Sequence, residues 1–147
     1  QYRCPPSSDY QAKMRRKSLK VYNHEQTKHT KETILAISYV PEGGGIKDIP
    51  ENIRGDRNYS SLLRRMDRSK PSQTIDTGHR TYFHYEENRI ISVREAARLQ
   101  SFPDDYIFLG SKQQQYKQVG NAVPPMLAFE VAKSIKRYFE GNKDEKI

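Results

Sequence analysis

The sequence predicts an α+β chain, a small mixed domain followed by helices. Three observations carry that prediction. Helix-period apolar spacing with capping residues recurs in residues 30–40, 92–102 and 124–139. Residues 72–93 hold the short extended runs "SQTIDTG", "TYFHY" and "RIISV", joined by tight turns. Glycine and proline then punctuate the chain, as "PEGGG" at 41–45 and "GNAVPP" at 120–125.

Taken in order, residues 1–29 form a basic lead-in with "KMRRKSLK" at its centre and little apolar periodicity, which predicts an exposed segment. Thr30 can cap a short helix that carries Ile34, Leu35 and Ile37. "PEGGG" breaks it, and "IKDIPENIRG" is rich in turns. Tyr59, Leu62, Leu63 and Met66 fall at i, i+3, i+4 and i+7, which predicts one packed face of a second helix. Ser92 and Glu95 have the spacing of a capping box, so a helix opens at Val93, with Val93, Ala96 and Ala97 on one face. Arg94 and Arg98 lie on another face, where Glu95 can pair with Arg98. The last helix runs from about Pro124 to Phe139 and is expected to bury Ala128, Val131, Ala132, Ile135 and Phe139. Gly141 is its expected C-cap, and residues 142–147 are expected to fray.

Composition limits what such a chain can do. Its 147 residues suffice for one modest domain, or a small domain with a fragment of another. Only 34% of residues are hydrophobic and 30% are charged, but ten tyrosines and five phenylalanines add apolar mass. A net charge of +8 points to a polyanionic partner, most simply nucleic acid. A single cysteine excludes an internal disulfide framework and fits a reducing cytoplasm. No run reaches membrane-spanning length and no signal peptide is visible. The sequence opens at Gln1 rather than Met, which leaves room for residues upstream.

Several tempting chemistries lack their partners. The pairs His24/His29 and His79/His84 are not spaced to place two rings on one helical face, which argues against a metal centre. "EGGGIKD" lacks the Lys-Ser/Thr of a phosphate-binding loop. Cys4 precedes two prolines with no His or acid placed to activate it.

The remaining signal is "YKQVGNAVPP" at 116–125, a Gly-Asn pair beside two prolines at a helix entrance. Proline suits the first turn of a helix, and Gly and Asn allow a backbone to turn sharply and approach a ligand. This decapeptide resembles the tenth conserved block of DNA (cytosine-5)-methyltransferases. "SVREAARLQSFPDDY" at 92–106 resembles the ninth, and the order and separation of the two also match. Upstream, "KPSQTIDT" is similar to the Thr-Ile/Leu element of that family's target recognition domain, and "YVPEGGGIKDIPENIRG" to a segment that opens it. The resemblance covers roughly residues 24–141 and is strongest from Arg89 onward. Tyr85 departs from the family, where many members carry proline, and Ala122 stands where some carry serine.

The resemblance implies a target recognition domain in residues 30–91. Residues 92–141 would then return to, and help complete, the Rossmann-like catalytic domain of a methyltransferase. It implies S-adenosylmethionine as cofactor, with Asn121, Ala122 and Val123 as contacts, and double-stranded DNA as partner. Thr74 matches a backbone-contacting threonine, and His79 and Arg80 are candidates for base readout. The arginines of the ninth block would be structural. The family's Pro-Cys nucleophile, Glu-Asn-Val acid, cofactor-cradling Gly-x-Gly and Gln-x-Arg-x-Arg blocks do not occur. The "CPP" at Cys4 reverses the first, and Glu51-Asn52-Ile53 only imitates the second. The expectation is the carboxy-terminal portion of a cytoplasmic, prokaryotic or phage-encoded enzyme. It would be inactive alone and require an amino-terminal catalytic portion or partner subunit. The competing reading is a self-standing basic DNA-binding module, which would have no use for a tenth block.

Overall fold

A computed structural model describes residues 2–54, 63–78 and 81–141. The elements, in order, are α1 (Asp9–Arg15), α2 (Lys31–Ser38), a 3-10 turn (Ile46–Asp48), α3 (Glu51–Arg54), β1 (Arg64–Arg65), β2 (Tyr82–Phe83), α4 (Val93–Leu99), α5 (Lys112–Gly120) and α6 (Pro125–Gly141). This is an α+β arrangement with very little sheet among the described residues. β1 and β2 pair in parallel, Arg64 opposite Tyr82 and Arg65 opposite Phe83. Single antiparallel bridges add Gly45 to Arg64 and Ile90 to Phe83.

Side-chain alternation along the strand divides the core in two. Tyr82 and Ile91 join Ile75, Val93, Ala96, Ala97, Phe102, Phe108, Tyr116 and Val119 in one apolar cluster. Their chain neighbours Phe83 and Ile90 join Ala36, Ile37, Val40, Ile49 and Leu63 in the other. The first cluster packs Ile75, Tyr82 and Ile91 against α4, α5 and the loop between them, and the second gathers α2 with the residues around β1 and β2.

Serine and threonine caps set the helix starts. Thr30 Oγ1 accepts from Thr33 N at 3.3 Å. Ser92 Oγ accepts from Glu95 N at 3.2 Å while Ser92 N donates to Glu95 at 2.7 Å, the reciprocal box anticipated from the sequence. Ser111 and Gln114 form another box at the start of α5, a helix the sequence reading missed although S-x-x-Q announces it. The residues read as a stiff turn therefore begin inside a helix.

Four expectations need correction. α2 buries Ala36 and Ile37 and leaves Ile34 and Leu35 exposed, so its inner face is turned from the one expected. Leu63 to Met66 are extended rather than helical, because the backbone of β1 pairs with β2; Tyr59 and Leu62 lie outside the described residues. Of the three expected strands only Tyr82–Phe83 forms, and residues 71–76 have no regular structure. α6 forms with Pro125 as its first residue, yet none of its residues is buried. Val131, Ile135 and Phe139 are 50%, 51% and 64% exposed, since no described element packs over that stripe.

The basic lead-in is mostly exposed, as its composition suggests, but it is not structureless. Ser8 caps α1, Met14 is buried, and Met14 O accepts from Asp104 N at 2.7 Å. Gly141 ends α6, and residues 142–147 lie outside the described residues.

Candidate functional site

The ninth block builds the frame on which the candidate site residues stand. Arg94 is wholly buried, its guanidinium donating to the carbonyls of Tyr22 at 2.9 Å, Pro103 at 2.9 Å and Tyr106 at 2.5 Å. Arg98 grips the equally buried Asp104 through two bonds of 2.9 and 2.6 Å, and Tyr2 OH also donates to that carboxylate. Burial pushes the Asp104 pKa up, but these donors outweigh it and hold the carboxyl below its ordinary value. Arg89 makes a matching fork on Glu95, with both bonds at 2.8 Å. Burial opposes the Glu95 charge, yet Arg89 and the Ser92 N–H bring its pKa down to about 2. The expected Glu95–Arg98 pair is thus replaced by two other pairs, because each carboxylate receives the two-pronged fork of a guanidinium, Arg89 on Glu95 and Arg98 on Asp104. All three arginines are committed to the frame.

α5 is fixed to this frame at three points. Tyr116 OH donates to Ile91 O at 2.5 Å, Gln100 Nε2 donates to Val119 O at 3.1 Å, and Val119 is fully buried. Asn121 then closes the helix as its C-cap at φ −83°, so the tight turn needs no left-handed residue. Asn121 and Val123 are exposed, while Ala122 packs against the apolar cluster. Beyond them Met126 N donates to Ser101 Oγ at 3.0 Å, tying the entrance of α6 back to the ninth block. The turn expected to touch cofactor is therefore tied at both ends, with Asn121 and Val123 turned outward and Ala122 inward.

The recognition segment at 74–78 lies beside that turn. Ile75 is buried in the same cluster as Tyr116 and Val119. Thr74 is exposed, and its carbonyl accepts from Tyr82 OH at 2.5 Å. Asp76 accepts from Gly78 N at 2.8 Å and from Thr81 Oγ1 at 3.1 Å, which folds the segment back on itself. Gly120 touches it directly: a Cβ there would lie 2.3 Å from Asp76 O and 2.6 Å from Thr77 N. His79 and Arg80 lie outside the described residues, so Thr74 is the DNA-contact candidate whose position is seen.

Two residues that the sequence reading passed over hold these parts together. Arg65 is 4% exposed and donates to the carbonyls of Ile37, Val40, His84 and Glu87 and to Asn88 Oδ1. Asn23, at φ +60°, donates its carboxamide N–H groups to Phe108 O and Gln115 Oε1, while its Oδ1 accepts from Phe108 N and its backbone carbonyl from Arg94 N. Neither carries a motif that would announce it. The described histidines serve as stitches of the same kind. His24 Nδ1 lies 2.8 Å from Ser92 Oγ, His29 Nε2 accepts from Ile90 N, and His84 Nδ1 accepts from Glu86 and Glu87 N–H.

The family profile of C-5 cytosine-specific DNA methylases matches residues 5–137. Type II methyltransferase M1.HphI of Haemophilus parahaemolyticus is 44% identical over 115 residues, covering 78% of this chain and 31% of its own. M.DdeI of Desulfomicrobium norvegicum is 37% identical over 158 aligned positions, covering 95% and 38%. Type II methyltransferase M.AquIB of Picosynechococcus is 37% identical over 142, covering 88% of this chain and 98% of its own. The chain thus spans about a third of the first two relatives and nearly all of the third. A crystal structure described as a prophage-encoded DNA modification methyltransferase (E. coli) superposes with TM-score 0.70 at 22% identity, over 92% of this chain and 38% of that one.

Proposed function

The chain belongs to the C-5 cytosine-specific DNA methylase family. On that premise we propose that it supplies the DNA-recognition part and one wall of the S-adenosylmethionine pocket of a DNA cytosine-5 methyltransferase. The observation that carries this reading is the face of α6. Leu127, Val131, Ile135, Tyr138 and Phe139 share one side of a 17-residue helix beyond the tenth-block turn, and each is at least half exposed. An exposed apolar stripe of that length marks a surface that another element or partner covers. A catalytic portion docked there would reach the exposed turn at Asn121 and Val123. A self-standing DNA-binding module offers no reason for such a stripe.

The residues present fit one side of a cofactor site and no more. Ala122 anchors the turn inward while Asn121 faces outward with a carboxamide that can hydrogen-bond a ligand. When bound, S-adenosylmethionine supplies the methyl group. This chain's part is to hold the turn still, and to grip DNA through residues 74–80 so that the target base can leave the stack. The nucleophile and the acid belong to the other portion, so the isolated chain transfers no methyl group. Among the described residues no helix is long and apolar enough to cross a membrane.

A test separates the two surfaces. In the reassembled enzyme Asn121→Ala weakens cofactor binding by roughly 1–2 kcal/mol, about five- to thirtyfold, and leaves DNA affinity nearly unchanged. Thr74→Ala and Arg80→Ala do the reverse. Calorimetry with each ligand reads the difference, and an Asn121→Ala variant that binds cofactor like the parent removes the turn from the pocket.

A further inference from the structure

We infer that Gly120 is a positioning residue for the DNA-recognition segment, although it stands in the block whose next residues face the cofactor. The inference rests on the reading of residues 74–80 as DNA-facing. Gly120 lies in the last turn of α5 and has ordinary helical geometry, so a left-handed backbone does not explain it. What explains it is space. A methyl group at position 120 would meet Asp76 O at 2.3 Å, Asp76 C at 2.4 Å and Thr77 N at 2.6 Å, all backbone atoms. A side chain can swing away from such a clash, but a peptide group moves only with its segment.

α5 is unable to give way instead. Tyr116 OH is bonded to Ile91 O, Val119 O is bonded to Gln100, and both side chains are buried. The segment is the softer partner: residues 71–76 have no regular structure, and Thr74 and Thr77 are exposed. Restoring ordinary van der Waals contact requires a retreat of about 1 Å. Its restraints are the Tyr82 bond to Thr74 O and the Asp76 bonds to Gly78 and Thr81. The bare backbone of Gly120 therefore seats the peptide at 76–77 and sets how far Thr74 projects. One residue later the same helix end delivers Asn121. The cofactor turn and the DNA segment are thus held in register by a backbone-to-backbone contact that any side chain at 120 would break.

The experiment uses the full enzyme carrying Gly120→Ala, with DNA affinity read by fluorescence anisotropy at fixed salt and cofactor affinity by calorimetry. A displacement of this size in a binding segment is expected to raise the DNA Kd and the KM for DNA about tenfold or more, with the cofactor Kd within about twofold of the parent. Amide hydrogen exchange is expected to quicken at residues 75–78 and to stay unchanged across α4. A cofactor Kd that rises as far as the DNA Kd, or unaltered exchange at 75–78, overturns the inference. If the variant does not fold, the parent decides: nuclear Overhauser contacts between the Gly120 Hα protons and the Thr77 amide must be present, and their absence refutes the seat. The underlying reading fails in a different way. Thr74→Ala with unchanged DNA affinity removes the DNA-facing role, whereas the exchange data still report on the seat.

Discussion

Replacing Arg94 by alanine tests whether the ninth block is a frame rather than a reader of bases. The side chain is fully buried and its guanidinium satisfies the carbonyls of Tyr22, Pro103 and Tyr106, with Asp104 Oδ1 3.8 Å away. Arg94→Ala leaves those three carbonyls without this donor and opens a cavity, while Asp104 keeps Arg98. Breaking a buried charge network in this way costs about 3–5 kcal/mol. Set against a typical total of roughly 5–15 kcal/mol, that is a large fraction of the stability. In urea, with a slope of about 1–3 kcal/mol/M, the midpoint moves down by roughly 2 M and the slope stays the same. Arg94→Lys loses less, because an ammonium keeps the charge but cannot present the planar fork to three carbonyls at once. An unfolding free energy for Arg94→Ala within about 1 kcal/mol of the parent refutes the frame. So does a loss of DNA affinity at unchanged stability, which would make Arg94 a contact residue.

Two further outcomes follow from the electrostatics. The Glu95 pKa falls from 4.5 to about 2 on folding, so its pairing stabilises the chain above pH 4.5 and is lost as pH drops towards 2. Urea midpoints at pH 6 and pH 3 should therefore differ, and Glu95→Gln should shrink the difference without abolishing it, since Asp104 is depressed in the same direction; an undiminished difference removes Glu95 from that account. With a net charge of +8, DNA binding should weaken with salt by about 0.9 in log K per log unit for each phosphate contact, and a flat titration would argue against a DNA-facing surface.

What could be read in the sequence was local, and what could not was long-range. The Ser92–Glu95 box, the Thr30 cap and the packed face of Val93, Ala96 and Ala97 follow from spacing within one helical turn, and all three stand in the structure. α5 was legible in principle from Ser111 and Gln114, but its glutamine-rich sequence lacks a strong apolar period. Arg65 and Asn23 were not legible. Their partners lie 19 to 92 positions away, and a buried arginine bonded mainly to carbonyls leaves no mark on the composition around it. The stripe of α6 is legible as apolar but its exposure is not, because periodicity tells which face needs a cover and not whether this chain supplies it. Gly120 shows the same limit. Its place in a turn motif suggested backbone freedom, whereas the Asp76–Thr77 peptide that excludes a Cβ comes from far upstream.

On the reading proposed above, this chain is one working part of a methyltransferase whose chemistry resides elsewhere. Methyl transfer from labelled S-adenosylmethionine to duplex DNA tests it with three samples: this chain, a catalytic portion bearing the Pro-Cys and Glu-Asn-Val blocks, and the two together. Each alone is expected to give background counts, and incorporation into cytosine is expected only for the mixture, lost again when α6 carries Leu127→Asp and Ile135→Asp on its exposed face. Incorporation by this chain alone, or a mixture that forms a complex through α6 and still transfers nothing, would contradict it.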